Sequence, residues 1–268
     1  MNPYLELVRL NICLLSVFGL IVGFLLVKLP LNFWILPILA VFLISASGNI
    51  INDFFDFEID KINKPERPLP SGRVSKKRAF IFYFVLSLAG LTISFFVSFN
   101  FFILALFNSI LIFLYSKKFK KTVFGNPIDS WLACSVFLAP VLILGDFSEL
   151  LTSKATILSI IAFFGNYGRE ILKDVEDIKG DRIEKARTLP IVIGKNRATI
   201  LGKIMIFIGA IFLLISYPLF SKLYLFLSLI CFIFCIYILT IRDVRKAQRI
   251  TKLIMFLVIF SFLISLLF

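Results

Sequence analysis

The sequence predicts an all-α fold: a polytopic membrane protein with nine transmembrane helices in a bundle, cytoplasmic cap loops and one membrane-embedded domain over residues 1–268. Two observations carry this reading. Apolar runs of about 20 residues recur along the chain, long enough to cross the roughly 30 Å hydrocarbon core as helices. The charges between them fall almost entirely on alternate loops. The background is 60% hydrophobic residues and a mean hydropathy of +0.99, yet the formal net charge is +13.

The first run, 10 to 28, starts after Arg9. No basic head and small-residue cleavage site mark a removable signal, so it is expected to stay as a helix. The second covers 33 to 55 and ends at a charged shoulder. The third, 79 to 98, follows the Lys76-Lys77-Arg78 cluster, and the tight Ser98-Phe99-Asn100 turn leads into the fourth, 100 to 116. The fifth runs from 128 to 146 and the sixth from 155 to 174. The last three are 198 to 217, 221 to 241 and 252 to 268.

Of the 29 Lys and Arg residues, all but Lys28, Lys154 and Lys222 fall at the amino terminus or in and beside the even-numbered loops. The positive-inside rule puts those loops and the amino terminus in the cytoplasm and the carboxyl terminus outside. The basic excess is therefore mostly topology, with anionic lipid headgroups as its natural contacts. No soluble basic face or base-stacking module accompanies it, which argues against nucleic acid. Cys13, Cys134, Cys231 and Cys235 lie inside apolar runs and read as small buried hydrophobes. The chain has no histidine, which excludes imidazole haem ligation, Ser-His catalysis and histidine proton relays. Chemistry must run on carboxylates, amines, guanidinium groups, hydroxyls and bound metal.

The shoulder after the second span reads "NDFFDFEIDKINKPERPLPSGRVS", residues 52 to 75. At about 100° per residue, Asn52, Asp53, Asp56 and Asp60 share an arc of about 100°, while Phe54, Phe55 and Glu58 point elsewhere. Carboxylates so close repel unless a cation lies among them. Mg²⁺ suits the place, because it takes a few carboxylates and keeps water or phosphate oxygens as its other ligands. After the sixth span the pattern returns in "KDVEDIKGDRIEKARTLP". Asp174, Asp177 and Asp181 each lie 121 residues beyond Asp53, Asp56 and Asp60, and "RTLP" answers "RPLP". The repetition points to pseudo-symmetric halves. Asn166 and Glu170 extend the second stripe into the membrane, where ionisable groups usually mark function. Two acidic clusters with basic loops are suited to clamp a diphosphate through metal ions, with a lipid-like tail in the membrane. The 33 phenylalanines offer lining for such a tail.

These residues resemble the UbiA-type intramembrane prenyltransferase superfamily over nearly the whole chain. The resemblance rests on the first motif (Asn52, Asp53, Asp56, Asp60), the following Arg67-Pro68 and Ser71-Gly72, and the second motif (Lys173, Asp174, Asp177, Asp181). It implies two Mg²⁺ ions bridging the motifs to a prenyl diphosphate, with Asp56, Asp60, Asp177 and Asp181 central to catalysis, and a lateral opening to lipid. The first motif is most similar to the archaeal ether-lipid branch, which adds a second geranylgeranyl chain to geranylgeranylglyceryl phosphate. Prenyl diphosphate, a lipid acceptor and membrane lipids are the implied partners, with no obligate protein partner. Lys64, Arg67, Lys118, Lys120, Arg169 and Lys173 are the implied phosphate-binding cations. Tyr115, Asn166 and Asn11, next to Arg9, are implied polar contacts of the pocket. Many members have Lys four positions after the tyrosine. Here Phe119 stands there, which leaves Lys118 and Lys120 as alternatives. Glu58 and Glu176 point away from the stripes and read as surface charges. An aromatic acceptor is the alternative within the class. A secondary transporter is the alternative outside it, disfavoured because the acidic motifs lie at span ends rather than at the bilayer midplane.

Overall fold

A computed structural model describes residues 2–145 and 152–266. Every predicted apolar run coincides with a helix. These are α2 (Leu10–Leu26), α3 (Ile35–Phe55), α5 (Lys76–Val97), α6 (Phe99–Lys117), α7 (Gly125–Leu144), α8 (Lys154–Ile183), α10 (Lys195–Ile215), α11 (Lys222–Thr240) and α12 (Val244–Ile264). Three shorter helices were not expected: α1 (Pro3–Val8), α4 (Phe57–Asn63) and α9 (Leu189–Ile193). The predicted ends at 146 and at 267–268 lie outside the described residues. Among the described residues no strand forms, and β-type pairing is limited to an isolated parallel bridge between Thr122 and Arg187.

Among the described residues, seven helices are long and apolar enough to cross a bilayer. Of the others matching a predicted run, α2 has 17 residues. The 30-residue α8 mixes an apolar first half with a charged second half. Here the structure corrects the sequence reading: the second acidic motif does not follow the sixth span but rides on the last turns of the same helix. Glu, Lys, Ile and Arg between 170 and 183 are adequate helix formers, so nothing stops the helix where the apolar run ends. The sides turned away from the core are apolar too, with Phe84, Leu88, Phe96, Phe226, Ile233 and Phe256 all more than half exposed. Such a surface suits lipid. The chain is a multi-pass membrane protein.

Neighbours in sequence pack as neighbours in space, and α12 returns to touch both α8 and α2. The two most extensive seams are α3 on α5 and α8 on α10. Both need glycine. A Cβ on Gly168 of α8 would lie 2.3 Å from the Gly202 carbonyl oxygen of α10, so the two backbones meet directly. A Cβ on Gly90 of α5 would lie 2.8 Å from Ile44 of α3. In a bilayer, where apolar contact with lipid is no worse than contact with protein, such close approach holds helices together through dispersion. Each motif-bearing helix is thereby fixed along its length before its polar end emerges.

Candidate active site

The first motif occupies the junction of α3 and α4. The helix is interrupted at Asp56, whose N–H still bonds to Asn52 O at 2.9 Å, and α4 begins at the next residue. Asp53 and Asp60 are 4% and 5% exposed. Buried carboxylates require partners, and the chain supplies cations from three segments. Arg9, at the α1–α2 junction with φ 53°, pairs with Asp53. Arg67 reaches Asp53 at 3.2 Å and Asp60 at 2.6 Å. Lys120 donates to Asp56 at 2.5 Å and to Asn52 at 3.2 Å.

Arg67 is brought back under α4 by the turn that the sequence marks with Pro65, Pro68 and Ser71-Gly72. Ser71 N–H bonds to Arg67 O at 3.0 Å, and Gly72 takes a left-handed φ of 76°. Leu69 and Val74 anchor this turn in a cluster with Leu7 and Ile50. Arg73 bonds Glu6 at 2.7 Å, tying α1 to the same turn and holding the Glu6 carboxyl below its usual range.

The second motif lies along α8. Asn126, at the start of α7, donates to Asp174 at 2.8 Å. Thr188 donates to Asp181 at 2.8 Å. Burial pushes the Asp181 carboxyl above its usual range, with the charges of Asp177 and Glu184 adding to the effect against the Thr188 bond. Asp177 is exposed and has no ion pair or hydrogen-bond partner among the described residues. Deeper on α8, Asn166 donates to Asp129 of α7 at 3.2 Å. Glu170 takes both Arg169 and Lys173, the latter at 2.9 Å.

The two arrays are joined across the segment after α6. Lys121 pairs with Glu184 at 2.8 Å, and its carbonyl accepts from Arg187 N–H at 2.8 Å. Lys120, the residue before it, holds Asp56 of the first array. Tyr115 lies half-buried one turn earlier, within electrostatic reach of Asp56 on one side and of Asp129, Glu170 and Asp174 on the other. Below the arrays is a cavity of about 580 Å³. Along α7 it extends from Asp129 to Ala139, about 15 Å of depth at 1.5 Å per residue. Its lining is mainly aliphatic. Only Phe18, Phe101, Phe137 and Phe256 of the many phenylalanines take part.

Of Lys118 and Lys120, Lys120 is the one whose ammonium reaches an array, while Lys118 is exposed and lies over the Phe119 ring. Asn11 and Lys64 are also exposed and their side chains bond neither array, whereas that of Arg9, beside Asn11, does. Glu58 pairs with Lys61 and Glu176 with Arg245, in line with their reading as surface charges. Asn126 and Asp129 were missed. The signal available was the spacing Asn126, Asp129, Ser130, which places polar groups on one helical face at the edge of an apolar run.

Among the described residues no three carboxylates gather at one point. Every donor near the arrays is a hard oxygen, which suits Mg²⁺ over softer ions. An ion here would take one or two carboxylates and complete its shell with water and phosphate oxygens, as Mg²⁺ prefers. The residues fit that ion as one shared with a bound phosphate.

A membrane helical bundle with two acidic helix ends above an apolar chamber is built to hold an amphiphile, anionic head at the arrays and tail below. Residues 15–260 match the UbiA prenyltransferase family, and the chain belongs to it. It is 38% identical to the digeranylgeranylglyceryl phosphate synthase of Methanococcus aeolicus, covering 98% of this chain and 96% of that one. With the enzyme of the same name from Methanococcoides burtonii it shares 35%, over 99% and 100%. A solved structure described as giving insights into digeranylgeranylglyceryl phosphate synthase in membranes superposes with TM-score 0.89 at 34% identity, over 98% and 97% of the two chains. A UbiA homolog from Archaeoglobus fulgidus bound to GPP and Mg²⁺ shares the fold, with TM-score 0.71 at 19% identity over 99% and 100%.

Proposed function

We propose that the chain transfers a geranylgeranyl group from geranylgeranyl diphosphate to geranylgeranylglyceryl phosphate, dependent on Mg²⁺, in membrane ether-lipid synthesis. The observation that carries this reading is the pair of carboxylate arrays above the apolar cavity, in a chain whose near-full-length relatives carry the corresponding name. Nine crossings, with the arrays and amino terminus on the cytoplasmic side and the carboxyl terminus outside, follow from the charge distribution and accord with nine helices coinciding with the predicted runs.

Asn52, Asp53, Asp56 and Asp60 on one side, and Asp174, Asp177 and Asp181 on the other, would hold the metal. Bound there, Mg²⁺ supplies charge neutralisation of the leaving diphosphate. Arg67 and Lys120 sit at the first array with donors suited to phosphate oxygens, and Arg67 presents the planar fork that phosphate matches best. The cavity walls exclude water from the allylic carbon, which protects a cation-like transition state from hydrolysis. The acceptor hydroxyl attacks carbon 1 as the bond to diphosphate breaks, its proton passing to an array carboxylate or to the departing diphosphate, and positioning and electrostatics carry the rate without a covalent intermediate.

The test is labelled geranylgeranyl diphosphate with purified protein and a small acceptor panel. Geranylgeranylglyceryl phosphate should be prenylated. Its dephosphorylated glycerol ether should lose at least about tenfold in efficiency, because each charge-assisted bond to phosphate is worth roughly 1.5 to 3 kcal/mol. Prenylation of 4-hydroxybenzoate alone would overturn the ether-lipid reading and leave prenyl transfer intact.

A further inference from the structure

Three charged side chains line the cavity: Asp129 from α7, Arg169 from α8 and Lys252 from α12. The first two are already compensated. Asp129 accepts from Asn166, and Glu170 takes both Arg169 and Lys173. Asp129, Glu170, Arg169 and Lys173 therefore sum to zero. Lys252 is exposed and has no ion pair among the described residues. It is the surplus positive charge of the chamber.

The height of Lys252 can be read from two contacts between α8 and α12, which run antiparallel. Glu176 pairs with Arg245 at 2.8 Å. Farther along, a Cβ on Gly165 would lie 3.9 Å from Met255 Cγ. Moving seven residues from Glu176 leads to Arg169, and moving seven from Arg245 leads to Lys252. Both steps are about 10 Å along the axes, so Arg169 and Lys252 stand at the same depth on adjoining helices. Arg169 is also five residues, about 7.5 Å, from Asp174 of the second array.

The cavity is also open at this place. Leu15 and Phe18 of α2 and Phe256 of α12 line it while remaining 63%, 46% and 68% exposed. The seam between α2 and α12 is consequently a side entrance facing the apolar surface, with Lys252 one turn from Phe256. An exposed ammonium at the edge of the apolar run, without an ion pair among the described residues, is placed to take an anionic lipid headgroup. A lipid entering sideways with a dianionic head would supply the missing partner.

We propose that Lys252, together with the guanidinium nitrogens of Arg169 not used by Glu170, binds the phosphate of the lipid acceptor at this side entrance, apart from the arrays that take the diphosphate. The ligand is a lipid phosphomonoester. This rests on the reading of the acceptor as a phosphorylated glycerol lipid. In such a lipid the hydroxyl is only a few bonds from phosphorus, so its phosphate has to lie within a helical turn or two of the reacting carbon. The distance from Arg169 to Asp174 meets that requirement. Two cations on separate helices also favour a monoester dianion over a singly charged phosphodiester.

The experiment has two arms, in nanodiscs of zwitterionic phosphatidylcholine. In the kinetic arm, Lys252→Gln should raise KM for geranylgeranylglyceryl phosphate by at least about tenfold, leave KM for geranylgeranyl diphosphate within about twofold, and be largely rescued by Lys252→Arg. An unchanged acceptor KM, or a parallel rise for both substrates, overturns the assignment. In the binding arm, without turnover, lysophosphatidic acid should raise the melting temperature of wild type and not of Lys252→Gln, and monoacylglycerol should raise neither. Equal stabilisation by monoacylglycerol, or by phosphatidylglycerol as a bilayer phosphodiester, also overturns it. If wild type makes no product from geranylgeranylglyceryl phosphate, the functional reading fails on that result, and the melting arm still decides the anion site.

Discussion

Arg67 is the cation with most to lose on truncation. Its Nη1 lies 3.2 Å from Asp53 and 2.6 Å from Asp60, and Asp60 has no other ion pair among the described residues. Arg67→Ala should act in two separable ways. Without metal or substrate, Asp60 is left as a buried carboxylate without a partner, a loss of about 1 to 3 kcal/mol. That corresponds to a fall of several degrees in melting temperature for a chain of this size. Mg²⁺ should recover more of this loss in the variant than it adds to wild type, because the array it enters carries one cation fewer. With substrate, one charge-assisted bond to phosphate is lost, roughly 1.5 to 3 kcal/mol or about 10- to 150-fold in KM for the diphosphate.

The control is Lys246→Ala. It removes an equal charge from the first turn of α12, where among the described residues the Lys246 ammonium bonds Tyr237 Oη alone, at 3.1 Å. Steady-state kinetics with varied geranylgeranyl diphosphate, alongside thermal unfolding with and without Mg²⁺, checks both effects. If Arg67→Ala and Lys246→Ala each change the diphosphate KM by less than about twofold, the loop cations serve membrane orientation and the placement of Arg67 at the diphosphate is wrong.

Asp56→Ala and Asp177→Ala should each abolish turnover while the protein stays folded and inserted, and Asp60→Ala and Asp181→Ala should behave alike; near-normal activity at saturating Mg²⁺ in either of the first two would remove the two-array clamp. Lys120→Ala should weaken diphosphate binding by about tenfold or more, against less than about twofold for Lys118→Ala, measured as KM under the same conditions. Gly168→Ala should destabilise by about 1 to 3 kcal/mol, since its Cβ would stand 2.3 Å from the Gly202 carbonyl oxygen. Activity should fall with it, because α8 carries Glu170 and Asp174; unfolding scans together with turnover decide this.

What was legible in the sequence was whatever repeats or alternates. The apolar runs gave the helices, and the 121-residue repetition gave both arrays. Local continuity was less legible. The carboxylates from 52 to 60 were read on one unbroken helical face, whereas the helix is interrupted at Asp56. The second motif was placed beyond a span, whereas α8 carries it without a break. Partners across long sequence distances were not legible at all. Arg9 and Asp53 are 44 residues apart and Asn126 and Asp174 are 48 apart, and no periodicity within one helix encodes which side chain a neighbouring helix will present. Phenylalanine abundance misled in the opposite direction, because among the described residues four phenylalanines line the cavity while thirteen are exposed, where lipid accepts them at no packing cost.

The arrays also differ in a way that their matching sequences conceal. The first meets its charge with cations: Arg9, Arg67 and Lys120 reach it from three separate segments. The second is met mainly by neutral donors, Asn126 at Asp174 and Thr188 at Asp181, and Asp177 stands exposed. A phosphate approaching the first array finds guanidinium and ammonium groups already in place, whereas one approaching the second meets net negative charge. On the proposed reaction, the first array therefore grips the diphosphate partly through the chain's own cations, and the second depends on added metal to become attractive to it. The carboxylates of both arrays keep the same spacing, and it is the cations brought by the α1–α2 junction, the turn after α4 and the segment after α6 that leave only the first already neutralised.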